Sequence, residues 1–266
     1  MNIAKFKGIL DNKIKLKIIS CLLQRINRLL KDVIYKVVKL KMVQCTIEHH
    51  AVLFALFAKY TIEGFGEKGK DAIYIGIENY GHERGKRMAK RAIANGDALD
   101  FINSQAYGEW IPEKDEMEFG ILKTEPELVS NVTKCEWCAS WKKYNLLDFG
   151  KYYCINIDDA VFNGFNEKFH MNATSNLSFG ANHCEFHWKN PMHEEDFIKL
   201  TKKRAELGTS CIKDFNFHTA HLLYSMSETL KNKLGEAGIL IINKVLEEYR
   251  LLFSEEYLDV LKGVFK

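Results

Sequence analysis

Near residue 180 the chain reads Phe179-Gly180-Ala181-Asn182-His183-Cys184-Glu185-Phe186-His187-Trp188, a thiol, two histidines and a carboxylate in one short stretch. In an extended strand, successive side chains point to opposite faces. Cys184, Phe186 and Trp188 then share one face, while His183, Glu185 and His187 share the other. The apolar face with Cys184 is the one expected to be buried. Cys184 therefore cannot use His187 of its own strand, and its partners have to come from other elements.

Other residues could supply them. Cys135-x-x-Cys138 falls where a strand gives way to a helix, and a helix N-terminus favours a thiolate, hence nucleophilicity or metal binding. A lone pair of this kind would need Cys154 or His187 to complete a zinc site. His49 and His50 open an apolar helix. His218 and His221 lie one turn apart on another, a spacing that could bind a metal or position a substrate. The plainer reading of each is a satisfied core histidine. "GHERGKRMAKR" places His82, Glu83, Arg84, Lys86 and Arg87 after a helix. It reads either as a solvated charged face or as a site where the Arg84 guanidinium grips a carboxylate.

The elements that would position these groups can be read in outline. Residues 46–63, "TIEHHAVLFALFAKYTIE", are apolar nearly all round, as in a buried helix. "GFGEKG" breaks that helix, and Lys70–Tyr80 resumes an amphipathic pattern. A shift of 169 residues repeats parts of this hairpin: His49-x-Ala51-x-Leu53, Gly66-Glu67-x-Gly69 and Glu78-x-Tyr80 recur as His218-x-Ala220-x-Leu222, Gly235-Glu236-x-Gly238 and Glu247-x-Tyr249. Residues 100–128 read as an acidic loop and 128–134 as a strand. Residues 136–165 read as mainly helical with a break near Gly150, and 168–188 as a hairpin turning at 179–182. Helices follow Pro191. The expectation is an α+β fold, a small antiparallel sheet surrounded by helices with helical hairpins before and after it. Its domains are a basic extension over 1–42 and one unit over 43–266. That unit divides into a hairpin (43–100), a sheet-containing core (128–190) and C-terminal helices (192–266).

Composition narrows the partners. The chain has 266 residues, a net charge of +3 and seven cysteines. Residues 1–42 carry eleven Lys and Arg against Asp11 and Asp32, a balance of +9 that leaves −6 for the rest. That segment, "KIKLKIISCLLQRINRLLKDVIYKVVKLK", repeats apolar residues at helical spacing between lysines, which suits either a docking helix or an anionic membrane surface. The acidic remainder offers no basic path, so nucleic acid is not expected as a partner. An odd cysteine count without a secretory pattern points to free thiols and a cytoplasmic setting.

Taken together, "HHAVLFALFAKY", "YGHERGKRMAKRA", "TKCEWCASW", "YYCINIDDAVFNGFN" and "TSNLSFGANHCEFHW" resemble the L-2-amino-thiazoline-4-carboxylic acid hydrolase family over roughly residues 46–190. Cys135, Cys154, Asp158, Phe165-Asn166, Gly180, Cys184 and Phe186 carry the resemblance. The layout also looks like vinyl-reductase-type small-molecule-binding domains. The resemblance implies hydrolysis of a cyclic amidine, opening 2-aminothiazoline-4-carboxylate to N-carbamoyl-L-cysteine. Either a thiolate of Cys184 or Cys135 attacks with His49, His50 or His82 as acid and base, or a metal activates water. Asp158 would orient the amidinium, while Arg84, His82, Cys154 and Asn166 would line the substrate site. Zinc or manganese is the candidate metal, with Cys135, Cys154, Cys184 and His187 as its ligands. The alternatives are a non-catalytic small-molecule or zinc sensor, or a biosynthetic member acting on a related C=N or C=S substrate. A second copy of the chain is a further candidate partner.

Overall fold

The computed structural model describes residues 43–264 and, before them, only the isolated positions Arg25, Leu30 and Lys31. The basic N-terminal helix expected above thus lies outside the described residues. From Cys45 onward the described chain packs as one unit.

Helix α1 (Ile47–Ala94) is the axis of the fold. Thr46 caps it, and its backbone N–H donates to Nδ1 of His49 at 3.1 Å, so His49 fills the place that a glutamate takes in a capping box. Residues 51–58 are fully buried, as an all-round apolar sequence requires. At Gly66 the backbone turns through φ 55°, ψ −127°, a conformation only glycine adopts without strain. The helix then continues to Ala94. "GHERGKRMAKR" therefore does not follow a helix; it lies within one. The reason is packing. A Cβ on Gly85 would sit 2.1 Å from the Val161 carbonyl oxygen and one on Gly81 would sit 2.6 Å from Ala160 Cβ. The two glycines are the groove in which a second helix lies.

After α2 (Phe101–Ala106) come strands β1 (Met117–Lys123) and β2 (Val129–Cys135). Helices α3 (Glu136–Lys143), α4 (Leu147–Gly150) and α5 (Tyr153–Phe165) follow, the breaks falling on either side of Gly150 as expected. Strands β3 (Asn172–Ser175) and β4 (Cys184–His187) form the expected hairpin through a short 3-10 turn at Leu177–Phe179. All pairings are antiparallel and the order is β1-β2-β4-β3. The passage over 100–128 is not all loop. It holds α2 and β1, an edge strand whose Phe119, Ile121 and Leu122 are exposed and so show no burial alternation to read. The chain ends in α6 (Glu194–Leu207), α7 (Phe215–Leu234), α8 (Glu236–Phe253) and α9 (Glu255–Val264). With one small four-stranded antiparallel sheet among predominantly helical elements, the fold is α+β.

The 169-residue echo has a structural counterpart. Gly235, between α7 and α8, takes φ 58°, ψ −132°, close to the conformation of Gly66. Gly69 and Gly238 each leave room for the carbonyl oxygen of the residue eight positions earlier, where an added Cβ would meet it at 2.3 Å. Tyr80 and Tyr249 are both fully buried. The same helical hairpin is built twice.

Candidate functional site

The helix crossing and the sheet enclose a cavity of about 330 Å³. Cys184 and Trp188 are buried and, with Phe186, line it from β4; Cys135 lies at the end of β2; Cys154 and Asp158 stand one turn apart on α5; Arg84 reaches in from α1. Strand alternation works as the sequence suggested. His183 and His187 face away, and His187 lies between two carboxylates, Glu127 at 2.8 Å and Glu185 at 2.9 Å. These hydrogen bonds raise its pKa.

The three cysteines thus share a cavity, but the fourth suggested metal ligand does not reach it. Among the described residues no three His, Cys, Asp or Glu side chains form a metal-holding group. The donor set suggested for zinc or manganese does not come together among the described residues.

Burial governs the thiols. Cys135 does receive backbone N–H groups of Trp137 and Cys138 at the start of α3, which favour its thiolate, yet desolvation outweighs them and pushes its pKa up to about 12. The expectation of a thiolate activated by the helix N-terminus is corrected on that ground. Burial also raises Cys154, well above the usual range, and Cys184, whose sulfur accepts a hydrogen bond from the Leu177 N–H at 3.4 Å. None of the described cysteines is in a disulfide.

The charged groups are arranged unequally. Glu109 is 1% exposed and lines the cavity. Arg87 donates to it from Nε at 2.8 Å and Nη2 at 2.7 Å, and Arg91 donates from Nη1 at 2.8 Å. Burial alone would raise Glu109, but Arg87, Arg84 and Arg91 hold its carboxyl below the usual range. Arg84 stands 3.7 Å from Glu109, its guanidinium over the Tyr80 ring, and its buried Nε has no hydrogen-bond partner among the described residues. Asp158 is pushed up to about 6 by burial, with Arg84 pulling the other way. Three arginines thus meet two carboxylates, which leaves one cation over. Arg204 adds another charge to the cavity wall.

The other suggested residues lie outside the cavity. His49 stacks on Tyr257, with ring centroids 4.2 Å apart, and caps α1. Asn166 caps α5 and donates from Nδ2 to the Leu99 carbonyl at 2.7 Å. His82 lies against Gly164 through its backbone. His50 is one step removed: its Nε2 is hydrogen-bonded at 3.1 Å to the hydroxyl of Tyr153, which lines the cavity. His218 donates to the Glu109 carbonyl at 3.3 Å and His221 to Glu83 at 2.8 Å, so the pair supports the arginine cluster from behind. Burial, then the neighbouring cations, hold His50 and His218 well below their usual pKa. Sequence reasoning missed Glu109, Trp110, Trp137 and Tyr153. The one available signal was the run Arg84, Arg87, Arg91 on one helical face with no acid opposite.

The model of the L-2-amino-thiazoline-4-carboxylic acid hydrolase family matches residues 44–188, more than half of the chain. No curated protein and no solved structure matches it.

Proposed function

Because the chain belongs to the L-2-amino-thiazoline-4-carboxylic acid hydrolase family, we propose that its cavity binds a small cyclic amidine bearing a carboxylate and opens it with water. The observation that carries this reading is that Arg84, Asp158 and Cys184, from three different elements, line one cavity, with Arg84 lacking a hydrogen bond at Nε. Arg84 takes the substrate carboxylate, since its Nε is desolvated and makes no hydrogen bond, only a 3.7 Å ion pair with Glu109. Asp158 faces the amidine, where its carboxylate exchanges a proton near neutral pH.

In the reaction proposed, Asp158 takes the Cys184 proton as sulfur attacks the amidine carbon. The ring carbon–sulfur bond then breaks, the substrate sulfur leaves as a thiol, and an isothiourea remains on Cys184. Water adds to that carbon, the Cys184 thiol departs, and the carbamoyl product is released. A buried neutral thiol needs such a base at the moment of attack. The test is thiol release from 2-aminothiazoline-4-carboxylate, with N-carbamoyl-L-cysteine identified by mass. Release by the wild type and its loss in Cys184→Ser and Asp158→Asn support the reading; no release by the wild type sinks it.

A second reading, a binding module without turnover, is favoured by the raised pKa of every thiol lining the cavity. It predicts binding of the same compound with no thiol released.

A further inference from the structure

The cavity is much larger than one five-membered ring needs. A void of roughly 150 Å³ already holds a benzene ring, and this one is about 330 Å³. Away from Arg84, Asp158 and Glu109 its walls are mostly apolar, with Ser104, Gln105, Asn176 and Arg204 as the polar exceptions. One group packs Phe162 edge-on to Trp188, centroids 4.7 Å apart, with Phe186 beside Trp188; Trp110 and Trp137 form a second, 5.3 Å apart. Met88, Val161 and Met171 complete the chamber. A second cavity of about 200 Å³ adjoins it, sharing Gln105, Gly108, Trp110, Pro112 and Arg204, and continues along Ile111, Leu207 and Ile212.

A charged end at Arg84, Asp158 and Glu109 and mostly apolar walls beyond it describe a ligand with one acidic head and a large hydrocarbon or aromatic body. We infer that the physiological ligand of this cavity is a monocarboxylic acid whose apolar body is far larger than the thiazoline ring, held by Arg84 at its head and by the aromatic walls along its length. This rests on the proposed reading of the site and narrows its substrate class.

A series of straight-chain carboxylates from propionate to decanoate tests it, read by calorimetry and by the fluorescence of the cavity tryptophans. Each added methylene is expected to tighten binding about fourfold until the chamber is filled. Arg84→Gln, with an unchanged circular-dichroism spectrum, should weaken decanoate at least tenfold, and 2-aminothiazoline-4-carboxylate should compete with it. Affinity that stays flat along the series, or that ignores Arg84→Gln or the competitor, overturns the inference. Thiol release without long-chain binding leaves the hydrolase reading standing and removes this one. Long-chain binding without thiol release does the reverse.

Discussion

Arg87 holds Glu109 through two parallel hydrogen bonds of 2.8 and 2.7 Å, in a pocket where the carboxylate is almost wholly buried. That pairing takes up the Glu109 oxygens and leaves Arg84, one turn away, with a longer 3.7 Å ion pair and no hydrogen bond at Nε, open to a ligand. The two arginines should therefore separate in experiment. Arg87→Gln is expected to lower stability by about 2 kcal/mol, since Arg91 still holds one oxygen of a buried charge. Arg84→Gln should also lower the melting temperature, since Arg84 faces the buried Glu109 and Asp158, but should add what Arg87→Gln does not, a rise in KM of ~10- to 100-fold, the worth of a charge-assisted contact. Thermal melts and steady-state kinetics on the two variants check this.

Asp158 titrates near 6 in the fold, above its unfolded value of 3.8. The folded state thus binds more protons than the unfolded state between those values, so this group's contribution to stability declines as pH rises toward 6 and stays unfavourable above it. Asp158→Asn is expected to stabilise the protein at pH 7.5 by up to about 3 kcal/mol and to abolish turnover. Wild-type activity should rise with pH through about 6. Urea melts at two pH values and a pH–rate profile measure both.

The cavity thiols should be sluggish. Iodoacetamide at pH 7.5 is expected to label Cys184 and Cys135 far more slowly than free cysteine, because burial keeps both protonated. Cys135→Ser should retain activity within about tenfold, whereas Cys184→Ser should lose thiol release altogether, a loss on the order of 10³-fold or more. Peptide mapping after timed alkylation tests the first statement.

Acid should destabilise the fold through its buried histidines. His50 and His218 lie well below 6.5 when folded, so the unfolded state binds more protons below that pH. Their stabilising contribution is complete above 6.5 and falls away as pH drops. The melting temperature is expected to fall between pH 7 and 5, and His218→Asn should flatten that slope.

Gly85→Ala should cost about 1–3 kcal/mol, because the new methyl meets the Val161 backbone at 2.1 Å and backbone cannot turn aside. Since the same crossing sets Arg84 opposite Asp158, activity should fall further than stability accounts for.

Particular residues show how far the sequence could be read. Alternation along 184–188 assigned Cys184 to the buried face correctly, because period-2 geometry is local. The doubled Gly66 and Gly235 turns were legible for the same reason, since only glycine suits that backbone. Spacing places "GHERGKRMAKR" after a helix, whereas it lies within one, because Gly81 and Gly85 make a contact with α5 that the local sequence does not show. Cys135 shows the same limit in energy: its place at a helix start was local knowledge, but the burial that reverses its pKa comes from elements far along the chain.

Sequence alone therefore determined most of the helices, the central hairpin, the family resemblance and which face of β4 turns inward, all consequences of neighbours along the chain, but not α2, β1 or the full length of α1. Only the tertiary structure decided that Glu109 is hydrogen-bonded by Arg87 and Arg91 while Arg84 keeps only a longer ion pair to it, that His49, His82, His187 and Asn166 stand outside the cavity, and that burial raises the pKa of its thiols. Desolvation and charge pairing depend on what is brought close across the fold, and spacing in the chain does not encode them.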